Sequence, residues 1–196
     1  MKTTLNLPDR YLITPEPAAF EADFFLDRLE QALQSGIALV QLRSKTMSAD
    51  QYAALATQAL DVCRTFSARM IVNHIAFVAD TLGADGIHIG SRHLMMQRKR
   101  PVSGNILFSA ACHNAAQLSQ AEVLGADFVT LSPVLKTRTH PDAAPLGWDA
   151  FADLLALTST PAYALGGMEP VHIAQAQSAG ALGIAAIGSL WPGPRS

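Results

Sequence analysis

The sequence predicts an α/β fold, specifically a (βα)8 TIM barrel with a short or missing last helix, in a single domain spanning residues 1–196. Short apolar runs alternate with segments of helical periodicity, which is the pattern of parallel strands joined by right-handed helical crossovers. Hydrophobic residues make up 49% of the chain and charged residues 15%. Such a composition suits parallel strands that helices cover, because these strands are continuous apolar runs.

An internal repeat predicts the number of strands. Four phrases begin with a glycine suited to a helix C-cap and continue into an apolar run; the glycines are Gly36, Gly83, Gly125 and Gly180. They are 47, 42 and 55 residues apart, which is about twice the length of one βα unit. Four repeats of two units each give eight strands, and the four phrases supply the even-numbered ones.

The remaining elements follow in chain order. The odd-numbered strands are expected at 11–14, 70–73, 106–111 and 163–165. With Ser48 and Asn114 as N-caps, the helices are expected at 20–35, 48–66, 76–82, 114–124, 148–157 and 170–179. Two prolines and a glycine follow residue 191, so the last helical position of the barrel is expected to be short or empty.

The charge and the cysteine content argue against several functional classes. A net charge of -2 does not suit a general nucleic-acid or anionic-membrane binder. Cys63 and Cys112 are too few for a disulfide framework, so a reducing, cytoplasmic location is expected. Residues 1–8 lack the apolar core of a signal peptide, and no apolar stretch is long enough to span a bilayer.

The carboxyl ends of the strands, where βα barrels have their active sites, carry many basic, hydroxyl and imidazole groups but few carboxylates. Strands seven and eight end in Gly166-Gly167 and Gly188-Ser189, whose bare backbone N–H groups suit a phosphate. An anionic ligand, most simply a phosphate or pyrophosphate ester, is therefore expected. The other strand-end residues are Thr14, Glu16, Gln41, Arg43, Lys45, Asn73, His74, His88, Arg92, His93, His113, Ser132, Thr137, Arg138, Thr139 and His140.

Several of these residues also have a purely structural explanation. The glycines can serve tight turns and close packing. Asn73 can satisfy backbone groups inside the barrel mouth, and His88 lies in an apolar run that suits a core histidine. For the glycines, Asn73 and His88, the structural explanation stays open beside the functional one.

Four phrases together resemble the thiamine phosphate synthase and TenI-like family, from about Tyr11 to Ser189. They are residues 41–45, 83–90, 132–139 and 164–168, in that family's order and spacing. The resemblance implies a βα barrel that joins hydroxymethylpyrimidine diphosphate to thiazole phosphate and releases pyrophosphate. Residues 11–15, 141–148 and 183–187 are most similar to the barrel found fused to Nudix hydrolases. That likeness implies a Nudix-type hydrolase as a candidate partner, beside a homodimer as a candidate assembly.

The resemblance also implies site residues. The substrate-binding positions are Gln41, Arg43, Lys45, Asn73, Thr137, Arg138, Thr139, Gly166, Gly167, Gly188 and Ser189. The family's magnesium is held by two aspartates, and the matching positions here are His74 and His93. Imidazole replaces hard oxygen ligands poorly, so no metal ligand is assigned, although the family implies magnesium. The family's serine after strand five is Ala111, and the lysine of its threonine loop is His140.

Three functions remain open at this point. The first is a synthase-like transferase. The second is a TenI-like tautomerase, an isomerase that only shifts a proton and whose catalytic histidine follows strand six, where this chain has Pro133. The candidate bases are His113, His74 and His140. The third is a non-catalytic, regulatory barrel that binds a phosphorylated thiamine precursor or product.

Overall fold

Eight parallel strands close into a barrel in a computed structural model that describes residues 6–17, 21–73, 82–137 and 143–193. Each strand pairs with the next along the chain, and the last pairs with the first through Arg10 and Ile184. The strands are β1 Arg10–Ile13, β2 Leu39–Leu42, β3 Arg69–Val72, β4 Gly86–Ile89, β5 Leu107–Cys112, β6 Phe128–Leu131, β7 Ala162–Leu165 and β8 Gly183–Ala186. The expected TIM barrel and its strand positions are confirmed.

The described helices surround this barrel. They are α1 Ala22–Gln34, α2 Ala49–Thr65, α3 Ser91–Met96, α4 Ala115–Val123, α5 Gly147–Leu155 and α6 Ile173–Ser178. The helix expected at 76–82 falls almost entirely outside the described residues. After β8 the described chain, which ends at Gly193, forms turns and no helix, in line with the short or missing last helix. No helix in the described segments is long and apolar enough to cross a membrane.

Two helical predictions need correction. The single helix expected at 170–179 is a 3-10 turn, Pro170–His172, followed by α6. A capping box between Glu169 and His172 fixes this tight turn, and a proline occupies its first position. Helix α3 was not expected, because it has six residues and no side-chain cap.

The local capping signals are confirmed. Ser48 accepts a hydrogen bond from the Gln51 backbone N–H and completes a capping box. Asn114 caps α4 by accepting a hydrogen bond from the Gln117 N–H. The four repeat glycines all have positive φ angles, between +69° and +94°. Only glycine adopts this left-handed conformation without strain, so the repeat reflects four equivalent helix ends.

Charged side chains tie these helix ends to the amino ends of the strands. Asp127 accepts a hydrogen bond from the Phe108 N–H at 2.8 Å, and in the preceding repeat Asp85 accepts one from Met70 at 2.7 Å. Arg100 pairs with Asp127 at 2.7 Å and donates to the Gly125 carbonyl. These contacts stabilise the end of the barrel where the strands begin. The opposite end, where the strands finish, is formed by the loops that follow them.

The barrel interior is filled by aromatic side chains. Tyr11, Phe128 and Tyr163 are fully buried there, with ring centroids 5.3–5.7 Å apart. A second, larger apolar cluster lies between the strands and the helices. The aromatic layer closes the barrel below its carboxyl end, so any cavity there opens only toward the loops.

Candidate functional site

One cavity of about 1360 Å³ opens at the carboxyl ends of the strands. It gathers ten of the sequence-predicted site residues, from loops at six different strand ends. They are Gln41, Arg43, Lys45, Asn73, His113, Thr137, Gly166, Gly167, Gly188 and Ser189. The other predicted residues, His74, Arg138, Thr139 and His140, lie outside the described residues.

The cavity wall carries more positive than negative charge. Arg43, Lys45 and Lys136 line it, and in the described part of the chain no carboxylate oxygen lies within 4.0 Å of their cationic groups. The only carboxylate among the described lining residues is Glu169, which caps the 3-10 turn. Three cations without carboxylate partners favour an anionic ligand.

The loop that follows β2 is held from β1. Thr14 accepts a hydrogen bond from the Arg43 N–H at 3.0 Å. The Glu16 carboxylate accepts hydrogen bonds from the hydroxyls of Ser44 and Thr46 and from the backbone N–H groups of Lys45 and Thr46. Burial opposes ionisation of this carboxyl, but the hydrogen bonds outweigh it and lower the pKa of Glu16. These bonds hold the loop that carries Arg43 and Lys45 against the end of β1.

Gly166 and Gly167 are required by packing. Their φ angles are +98° and +68°. A Cβ at Gly166 would lie 2.8 Å from Pro133 Cα, and one at Gly167 would lie 2.5 Å from the Lys136 carbonyl oxygen. The structural explanation thus holds for these two glycines: they let the β7 loop lie against the β6 loop.

Gly188 is different, because a Cβ there would meet no atom within 4 Å. Packing does not explain this glycine, and it lines the cavity. Within the described residues, the backbone N–H groups of Gly167, Gly188 and Ser189 donate no backbone hydrogen bond. A single helical turn begins here, since the Trp191 N–H donates to the Ile187 carbonyl at 3.1 Å. Free N–H groups at the start of such a turn suit an anion.

The floor of the cavity is polar and uncharged. Gln41 donates to the Tyr11 hydroxyl at 2.7 Å, and both side chains are buried. Thr130 Oγ1 and Asn73 Oδ1 are buried and have no hydrogen-bond partner among the described residues. Buried polar atoms are normally paired, so these two are exceptions within the described residues. This oxygen of Asn73 bonds to no described backbone group.

His88 is a neutral member of this floor. Its Nδ1 lies 2.7 Å from the Ser109 hydroxyl, and the side chain is 8% exposed. Burial, and secondarily the positive charge of Arg43, lower the pKa of His88 to about 4. A neutral imidazole hydrogen-bonds a ligand without adding charge.

His113 is held in one tautomer. Its Nδ1 lies 2.7 Å from the Ser132 carbonyl oxygen, which can only accept, so Nδ1 carries the proton. In the neutral ring the lone pair is then on Nε2. His113 lines the cavity, and the Ser132 carbonyl just after β6 orients its ring.

Comparison with known proteins decides the family. The family model described as thiamine monophosphate synthase matches residues 10–190. The chain belongs to this family. It is 32% identical over 183 residues to a putative thiamine-phosphate synthase 2 of Aquifex aeolicus, covering 93% of this chain and 97% of that protein. A thiamine-phosphate synthase of Chloroflexus aurantiacus is 34% identical over 163 residues, covering 83% and 76% of the two chains.

A solved structure shares the fold of this thiamine monophosphate synthase family member. The thiamine phosphate pyrophosphorylase of Pyrococcus furiosus superposes with a TM-score of 0.73 over 91% of this chain and 85% of that chain. The two sequences are 21% identical in that alignment, so this likeness supports the fold alone.

The described residues do not fit the magnesium ion that the resemblance implies. His93 lies on α3, is exposed and is not among the residues that line the cavity. In the described ranges no group of three or more His, Cys, Asp or Glu side chains is placed to hold a metal. The carboxylate of Glu169 already accepts a hydrogen bond as a cap. A hard cation prefers carboxylate oxygens, and among the described lining residues only Glu169 supplies a carboxylate.

Sequence reasoning assigned no role to two residues of the site. Glu16 was missed because its significance depends on contacts with a distant segment. Thr130 was missed because the sequence does not mark a buried hydroxyl that has no partner among the described residues. Lys136, which the sequence offers as a further cation after strand six, lies in the cavity wall. The sequence did offer one indication that Glu16 is special: it follows β1 at the end of the barrel where carboxylates are few.

Proposed function

We propose that this protein binds phosphorylated thiamine precursors in the cavity and couples hydroxymethylpyrimidine diphosphate to thiazole phosphate. One observation carries the proposal: the cavity has two separate features suited to anions. Arg43 and Lys45 on the β2 loop form the first, and the N–H groups of Gly188 and Ser189, which donate no backbone hydrogen bond within the described residues, form the second at the end of β8. A reaction between a diphosphate and a monophosphate needs both.

In the proposed reaction the methylene carbon of the pyrimidine forms a bond to the thiazole nitrogen. Its C–O bond to the diphosphate breaks, and the electron pair leaves with pyrophosphate. Arg43, Lys45 and Lys136 neutralise the charge that develops on this leaving group. The uncharged floor, with Gln41, His88 and the unpaired Thr130 hydroxyl, orients the pyrimidine ring.

The proposed test is a coupling assay with both substrates, run with magnesium and separately with EDTA. Thiamine phosphate should form and pyrophosphate should appear in equal amount. Replacing Lys45 by Met should lower the rate at least tenfold. Replacing Lys99 by Met is the matched control, since it removes the same charge from an exposed residue outside the cavity. Absence of product under both conditions would remove the synthase proposal.

His113 favours a second candidate, a proton-transferring isomerase of the TenI type. The compared relatives named above are synthases, so this candidate rests on the tautomer that the Ser132 carbonyl imposes. A thiazole tautomer assay on wild type and His113→Gln checks it. Turnover lost in the variant supports the isomerase, whereas no turnover by the wild type rejects it. Binding of thiamine phosphate without either activity would leave a regulatory barrel.

A further inference from the structure

We infer that Glu16 is the positioning residue of the anion site: its carboxylate holds the β2 loop in the one conformation that presents Arg43 and Lys45 to a pyrophosphate-type anion. The inference rests on the proposed function, because it concerns the same cavity. It starts from an unexpected feature, a carboxylate close to a site that favours anions.

The contacts of Glu16 are local and numerous. Its two carboxylate oxygens both lie 2.9 Å from the Lys45 N–H, and one lies 3.1 Å from the Thr46 N–H. The Thr46 hydroxyl donates at 2.8 Å, and the Ser44 hydroxyl donates as well. The Ser44 oxygen in turn accepts from the Met47 N–H at 3.1 Å. An ionised carboxylate accepts from this many donors, which a neutral side chain cannot do.

These contacts leave the two cations of the loop free. Glu16 bonds to backbone and hydroxyl groups, and within the described residues its oxygens are not within 4.0 Å of the Arg43 or Lys45 side-chain nitrogens. The far end of the loop is fixed by the Ser48 capping box at the start of α2. The conformational entropy of the loop is thus lost on folding and need not be lost when the anion binds.

Electrostatic repulsion and positioning predict opposite effects of removing Glu16 on the affinity for an anion. A negative charge near the cavity repels an anion, so replacing Glu16 with a neutral residue would strengthen binding if electrostatics were its only role. Positioning predicts weaker binding. The sign of the change therefore separates the two explanations.

Glu122 provides a matched control for a purely structural role. Its carboxylate also accepts from a Ser–Thr loop, through the Ser159 N–H at 3.1 Å and the Thr158 hydroxyl at 3.0 Å. That loop precedes β7 and lies at the opposite end of the barrel from the cavity. Glu122→Ala thus removes a similar clamp without touching the anion site.

The experiment measures inorganic pyrophosphate binding by calorimetry, well below the melting temperature of each variant. Glu16→Ala should weaken binding at least tenfold, Glu16→Gln should weaken it less, and Glu122→Ala should bind like the wild type. Tighter or unchanged binding by Glu16→Ala would overturn the inference, as would an equal loss in Glu122→Ala. Pyrophosphate binding absent from the wild type itself would count against the proposed function.

Amide hydrogen exchange tests the positioning without any ligand. The Lys45 and Thr46 amides should exchange faster in Glu16→Ala than in the wild type, while amides of β2 keep their rates. Unchanged exchange at these two amides would overturn the inference whatever the ligand proves to be.

Discussion

Gly188 and Gly167 line the same cavity, but the structure assigns them different reasons for being glycine. At Gly188 an added Cβ meets no protein atom within 4 Å, and the residue lies outside the left-handed region. Gly188→Ala should therefore leave the fold intact or stabilise it by about 0.4–1 kcal/mol. The new methyl group would occupy cavity space beside a free N–H group, so it should displace a bound phosphate.

The expected size of both effects follows from the geometry. Loss of one charge-assisted hydrogen bond costs about 1.5–3 kcal/mol, so Gly188→Ala should weaken thiamine phosphate binding about 10- to 100-fold. Gly167→Ala forces a left-handed alanine, which costs about 1–2 kcal/mol. It also places a Cβ 2.5 Å from the Lys136 carbonyl oxygen. Backbone shifts of that kind cost about 1–3 kcal/mol more, so this variant should lose on the order of 10 °C in melting temperature.

Calorimetric titration with thiamine phosphate and thermal melts measure these outcomes. Gly104→Ala is the control, because its Cβ would also meet nothing within 4 Å and it does not line the cavity. Wild-type affinity in Gly188→Ala would refute the phosphate site at the β8 end. A melting temperature of Gly167→Ala equal to that of the wild type would refute the packing explanation.

Three further predictions concern stability. Folding lowers the pKa of His88 from its ordinary 6.5 to about 4, so the free energy of unfolding of the wild type should fall by up to about 3 kcal/mol as the pH drops from 6.5 to 4. In His88→Gln this part of the pH dependence should disappear. Equal slopes in pH-dependent melts would contradict this. Asp127→Ala should lower the free energy of unfolding in urea by about 1–3 kcal/mol, because Arg100 and the Phe108 N–H lose their acceptor. Ligand affinity should stay unchanged, and an altered affinity would contradict a purely structural role of Asp127. Ser48→Ala should cost about 1 kcal/mol through loss of the α2 cap, and a smaller unfolding free energy measured in urea would show it.

The parts of the fold that depend on local chemistry could be predicted from the sequence. Gly36 and Gly125 mark helix ends because only glycine adopts their φ angles easily. Ser48 and Asn114 mark helix starts because their side chains bond within one turn. The strands followed because each is a short apolar run bounded by these signals.

The parts that depend on contacts between distant segments could not. Glu16 acts on a loop that lies 28 to 30 residues away along the chain. The packing role of Gly167 arises from the Lys136 carbonyl on a neighbouring loop. The 3-10 turn at Pro170 replaces a helical turn because of a cap that periodicity does not reveal. Ten of the predicted site residues line one cavity, and their individual contacts became visible only in the structure.

The central claim is that the phosphate of a thiamine-type ligand binds where β7 and β8 end. A crystal structure of the protein with thiamine phosphate tests it most directly. The account predicts phosphate oxygens within about 2.7–3.2 Å of the backbone nitrogens of Gly188 and Ser189. Phosphate density elsewhere in the cavity, for example at Arg43 and Lys45 alone, or outside the cavity altogether, would contradict it.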